Sequence, residues 1–79
     1  MNDEVRTQFL KAFGKHVYRL RKTQKISRVQ LAFEIDSHEK QLRLIEKGEI
    51  NTGILTIYKI ATALNLPMEE LLRFNFKES

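Results

Sequence analysis

Ser27 to Gly48, SRVQLAFEIDSHEKQLRLIEKG, is the stretch whose reading decides the fold. Ser27-Arg28-Val29-Gln30 has the form of a capping box. The Ser27 hydroxyl can accept from the Gln30 amide while the Gln30 side chain returns to the Ser27 amide. Leu31, Ala32 and Ile35 then form an apolar stripe about two turns long. Asp36 and Ser37 break it, and Asp tolerates the left-handed backbone of such a break better than most residues other than glycine. A third helix is expected from about His38 to Ile45, with Gly48 as its left-handed stop. Leu42 and Ile45 turn one side of that helix inward and leave Glu39, Lys40, Arg43, Leu44 and Lys47 on its other faces. Helices this short are marginal alone. They make sense when a scaffold holds them and presents one of them outward.

The flanking sequence supplies that scaffold. Upstream, Val5, Phe9, Phe13, Val17 and Leu20 recur at steps of four and three, widened by Leu10, which predicts one amphipathic helix from Asp3 to about Thr23. Asp3 and Glu4 suit its first turn, and Arg21 and Lys22 its last. Downstream, Asn51 or Thr52 can cap a fourth helix carrying Ile54, Ile57, Ile60, Ala61 and Leu64. Pro67 suits the first position of a fifth, with Met68, Leu71 and Leu72 as its apolar face. Strand alternation is absent. The expectation is an all-α fold of five helices forming one domain over residues 1–79.

A chain of 79 residues buries only about 60–65% of its extended surface, so a dimer partner would add useful burial. It has no cysteine, which excludes disulfides and thiolate metal sites. The N-terminus lacks the basic and apolar regions of a secretory signal, and no apolar run approaches the roughly 18 residues that span a bilayer. A cytoplasmic location with no membrane partner is expected. The net charge is +4, with a skewed distribution. Residues 1–28 carry Arg6, Lys11, Lys15, Arg19, Arg21, Lys22, Lys25 and Arg28 against only Asp3 and Glu4. That excess suits a polyanionic partner, though a solvated helix face would look the same.

The series LA, a turn, then Ile-Glu-x-Gly resembles the lambda-repressor-like, Xre/Cro-type helix-turn-helix domain. The resemblance runs over about residues 13–72, taking in FGKHVYRLRKTQKIS upstream and ILTIYKIATALNLPMEELL downstream. It implies a compact five-helix DNA-binding domain whose third helix enters the major groove of duplex DNA. His38, Glu39, Lys40, Arg43 and Leu44 are then candidates for base edges or nearby phosphates. Arg28, at the start of the second helix, would meet the backbone, and Lys47 a phosphate beside Gly48. The resemblance also implies a structural pair, Arg21 with Glu46, pinning the third helix to the first. Lys25 and Asp36 stand at turn positions where the family commonly has glycine.

Several of these residues have two readings. Glu39 would repel phosphate, yet it could accept from a cytosine amino group; its plainer role is a favourable charge at a helix N-terminus. Leu44 lies about 200° around the helix from Leu42, so it either meets a thymine methyl or covers the seam to a neighbouring helix. Over residues 38–49, Lys40, Arg43 and Lys47 are balanced by Glu39, Glu46 and Glu49. Non-specific affinity is therefore expected to rest on Arg28 with Arg19, Lys22 and Lys25. Phe74 and Phe76 either form a dimer surface beside the fifth helix or fold back onto the first.

An enzyme is not expected. His16 and His38 have no His or Cys companions at metal-ligand spacing, and there is no glycine-rich phosphate loop; neither a cofactor nor a metal is implied. Two functions fit the resemblance. One is a sequence-specific transcriptional regulator, a repressor acting as a homodimer on half-sites about 34 Å apart. The other is a protein-interaction module, such as an antitoxin-like partner on the same fold.

Overall fold

The first helix forms where charge and capping agree. Asn2 accepts from the Val5 amide at 2.8 Å, Asp3 and Glu4 occupy the first turn, and Arg21 and Lys22 close the last. The computed structural model describes residues 1–76, so the last three residues of the expected 1–79 unit lie outside the described residues. Five helices follow one another: α1 (Asp3–Thr23), α2 (Arg28–Glu34), α3 (Glu39–Lys47), α4 (Ile54–Ala63) and α5 (Met68–Leu71). No strand occurs among the described residues.

All four junctions use one device. After α1, α2, α3 and α4 the chain turns through a left-handed residue: Lys25, Asp36, Gly48 and Asn65, at φ 59°, 56°, 73° and 57°. The next amide then reaches back over the helix end. Ile26 N–H donates to Arg21 O, Ser37 to Ala32 O, Glu49 to Leu44 O and Leu66 to Ala61 O, at 3.2, 2.8, 2.9 and 2.9 Å. This Schellman geometry satisfies carbonyls that a helix end leaves unpaired. Only Gly48 adopts it without a Cβ penalty.

Each helix sends side chains to one core. Val17, Leu31, Leu42, Ile60 and Leu71 are wholly buried, joined by Phe13, Ala32, Ile35, Ile45, Ala61 and Leu64. Burying a leucine is worth about 1.5–3 kcal/mol, enough for Leu42 and Ile45 to fix which side of α3 faces in. Two polar ties add direction. The Gln24 side-chain amide donates to Leu64 O at 2.8 Å, and His16 Nε2 donates to Glu70 O at 2.7 Å.

The structure corrects several expectations. α3 begins at Glu39 rather than His38, which is its N-cap and makes no capping bond, and it runs two residues past Ile45 because Gly48 follows directly. The cap of α4 is Gly53, not Asn51 or Thr52, and Ile54 is exposed rather than part of the buried stripe. Pro67 caps α5 instead of opening it, and Leu72 lies exposed beyond the end of α5. The Ser27 hydroxyl accepts from the Gln30 amide at 3.0 Å, but the return bond from the Gln30 side chain is not formed. Phe74 packs on Phe9, Phe13 and His16, and Phe76 on Phe9, with ring centroids 5.3–6.1 Å apart. The rings fold back onto α1.

Candidate DNA-binding face

α3 is seated on α1 by backbone approach. Gly14 is buried, and a Cβ there would collide with the Ile45 carbonyl oxygen and lie 2.5 Å from that of Glu46. On the other side of the crossing, a Cβ on Gly48 would lie 2.6 Å from the Lys11 Cα and amide nitrogen. Glycine is thus required twice at one crossing, and at Gly48 for its positive φ as well.

A buried ion pair completes the seat. Arg21 Nε and Nη2 donate to Glu46 Oε2 and Oε1 at 2.7 and 3.0 Å, and Nη1 donates to Ile26 O at 2.9 Å. Both side chains are only 5% exposed. The paired, two-bond geometry is what lets such charges be buried. The pair thereby ties the end of α1, the turn at Ile26 and the last turn of α3 into one unit.

From Glu46 the network continues outward. Arg28 Nε donates to Glu46 Oε1 at 3.2 Å, and its Nη1 donates to Glu39 Oε2 at 2.7 Å. Glu39 also accepts from Arg43, one turn along α3. The order is therefore Arg43, Glu39, Arg28, Glu46, Arg21: three cations alternating with two anions. Hydrogen bonds from Arg43 and then Arg28 hold the Glu39 carboxyl below its ordinary range. Glu39 in turn holds Arg28 more firmly in its charged form, against a smaller opposing effect of burial.

Four lysines beside this network are unengaged. Lys40 and Lys47 on α3, and Lys11 and Lys15 on α1, are exposed and form no ion pair among the described residues. A groove of about 350 Å³ separates the two helices, lined by Lys11, Lys15, Tyr18, Arg28, Arg43 and Lys47 around Glu46. A helix pair bordered by such a groove is what a duplex with its phosphate ridge fits.

Known proteins agree with the geometry. A family model described as helix-turn-helix, HTH_3, matches residues 17–71. The chain belongs to the HTH_3 family. The restriction-modification controller protein C.AhdI from Aeromonas hydrophila is 32% identical in sequence. Its structure superposes with a TM-score of 0.77 over 78% of this chain and 94% of that one. An HTH_3 family transcriptional regulator from Vibrio cholerae gives 0.78 at 25% identity, over 85% of this chain and 38% of the other. The clp gene regulator ClgR from C. glutamicum shares the fold alone, at 0.77 and 17% identity over 81% and 83% of the two chains. No curated protein matches. HTH_3 membership makes this chain a DNA-binding transcription regulator by class.

In HTH_3 terms α2 and α3 are the helix-turn-helix, and the structure gathers most of the residues named from sequence onto one face. Lys40, Arg43 and Lys47 lie exposed along α3, with His38 exposed at its start. Leu44 is half-buried, so it partly covers a seam and is not a fully outward contact. Arg28 and Glu39 are present but engaged with each other. Arg19, expected to add non-specific affinity, lines a hollow with His16, Arg73 and Asn75 beside α5. Lys11, Lys15 and Tyr18 line the same groove, although the sequence reading did not single them out for this face. Their signal is a second stripe on α1, Lys11, Lys15, Tyr18 and Lys22, at helical steps of four, three and four. Tyr18 organises its end of that stripe, with the Arg21 guanidinium 5.3 Å and the Lys22 ammonium 5.9 Å from its ring centre.

Proposed function

We propose that this chain is a sequence-specific regulator that inserts the outer side of α3 into the major groove and represses by occupying promoter DNA. The observation that carries the reading is the seat of α3. Leu42, Ile45 and the Arg21–Glu46 pair hold its inner side, while Lys40, Arg43 and Lys47 stand free of the globule. A groove about 12 Å wide admits such a helix. Lys40, Arg43, Glu39 and Leu44 would then meet base edges, and Arg28, Lys47, Lys11 and Lys15 would follow the phosphates. Selection of bound sites from random duplexes tests this directly. Lys40→Ala should weaken the selected site more than random DNA, whereas Lys47→Ala, at an exposed phosphate-facing lysine with no ion pair among the described residues, should weaken both alike. Equal losses from the two variants would remove the recognition-helix assignment.

We further propose a homodimer, acting in the cytoplasm, with its surface on α4 rather than on the Phe74–Phe76 tail. Ile54, Leu55 and Tyr58 share an outer face there and are 76%, 63% and 54% exposed. Apolar groups so displayed on a small domain mark an interaction surface. The dimer predicts a selected motif with two related halves about 34 Å apart; sedimentation as a monomer at micromolar concentration would remove it. A second reading, an antitoxin-like partner for another protein, is favoured by Val29 and Phe33, 66% and 80% exposed one turn apart on α2. Folded protein that selects no site would favour it. No helix of the described residues is long and apolar enough to cross a membrane.

A further inference from the structure

We infer that Glu39 is a resident counter-ion that occupies two arginines of the DNA-facing surface and thereby suppresses binding to DNA of arbitrary sequence. This rests on the reading of α3 as the recognition helix. The geometry is specific. One carboxylate oxygen takes Arg28 from α2 at 2.7 Å and the other takes Arg43 from α3, so both lone-pair edges are filled by guanidinium groups. The three side chains are 31%, 46% and 26% exposed for Arg28, Arg43 and Glu39, so a phosphate can reach the same guanidinium groups.

A phosphate approaching Arg28 or Arg43 meets the Glu39 carboxylate already seated on each guanidinium, and gains the full charge of either arginine only by displacing it. On random sequence the displaced carboxylate is left facing the negatively charged duplex without a donor, so the exchange gains little. Where the groove offers a cytosine amino group, the carboxylate has a hydrogen-bond donor to accept from, and both arginines are released toward the duplex at once, Arg28 to a phosphate and Arg43 to the groove. The lysines of this face lack such a brake. Glu39 therefore contributes discrimination by lowering the wrong affinity, a form of specificity that operates through a difference between sites.

The test is a salt titration of binding to random duplex DNA by the full chain and by E39Q, E39A and E49Q. Glu49 is exposed, lies just past α3 and forms no ion pair among the described residues, so E49Q removes an equal charge without releasing an arginine. Each additional phosphate contact steepens the salt slope by about 0.9, which at 0.1 M salt is roughly an eightfold gain. E39Q and E39A should bind random DNA at least about tenfold tighter, with a slope steeper by about one to two. E49Q should gain no more than about threefold, with its slope unchanged. The ratio of selected-site to random affinity should fall in both Glu39 variants. Unchanged random affinity in folded E39Q and E39A, or equal gains from E39Q and E49Q, would overturn the counter-ion role while leaving the DNA-binding reading intact. A wild-type chain that binds no duplex at any salt would overturn both.

Discussion

The two ends of the charge network differ in what they are for. At the Arg21–Glu46 end both side chains are 5% exposed, the bonds are paired, and a loop carbonyl accepts from the third guanidinium nitrogen. At the Arg43–Glu39 end the same chemistry sits in water, with Arg43 46% exposed. Burial makes the first end a structural fastener, costly to break. Solvent makes the second end an exchangeable contact that a passing anion can replace. One unbroken line of charges thus runs from anchorage to recognition.

The sharpest way to break that contrast is to remove the inner cation. Arg21→Met should destabilise the fold by about 3–4 kcal/mol, because Glu46 is left buried with Arg28 as a more distant partner; urea denaturation reads it out. Gly14→Ala should follow, at about 2–3 kcal/mol, since its new methyl meets backbone carbonyls of α3 that cannot swing aside. It should also weaken DNA binding by tilting α3. Double-mutant cycles then sharpen the comparison. Arg43 with Glu39, an exposed pair, should couple only weakly, against several-fold more for Arg21 with Glu46.

The smallest effect is on the acid limb. The Glu39 carboxyl is depressed from its ordinary value of 4.5, first by Arg43 and then by Arg28. Its contribution to stability is therefore complete above about pH 4.5 and lost as pH falls through the lower folded-state value. Wild type should lose slightly more stability than E39Q below that pH. Parallel acid limbs in the two proteins would mean the pairing is too loose to matter for folding.

Much of this was legible in the sequence because it is local. The Ser27 cap, the left-handed Asp36 and Gly48, and the inward Leu42 and Ile45 all follow from residues within one or two turns of each other. The resemblance added Arg21 with Glu46, a pair 25 residues apart that periodicity could not join. What stayed hidden depends on how separate elements meet. Gly14 reads as a mild helix weakness until the Ile45 and Glu46 carbonyls are placed against it. Arg28 and Glu39 each looked like a free contact, because their mutual distance is set by the angle between α2 and α3. Phe74 and Phe76 read either as a dimer surface or as a fold-back onto the first helix; α5 is only four residues long, and the tail doubles back onto Phe9.

The glycine-lined crossing of α1 and α3 has a consequence for how such a protein changes its target. Because α3 is positioned by main chain meeting main chain, its attitude does not depend on the identity of the outward side chains. Positions 40, 41, 43 and 47, all exposed, can then be rewritten with little penalty to the frame that aims them. A library randomised at those four sites should yield mostly well-folded members with altered operator preference, so the binding vocabulary is free to drift while its mounting stays fixed.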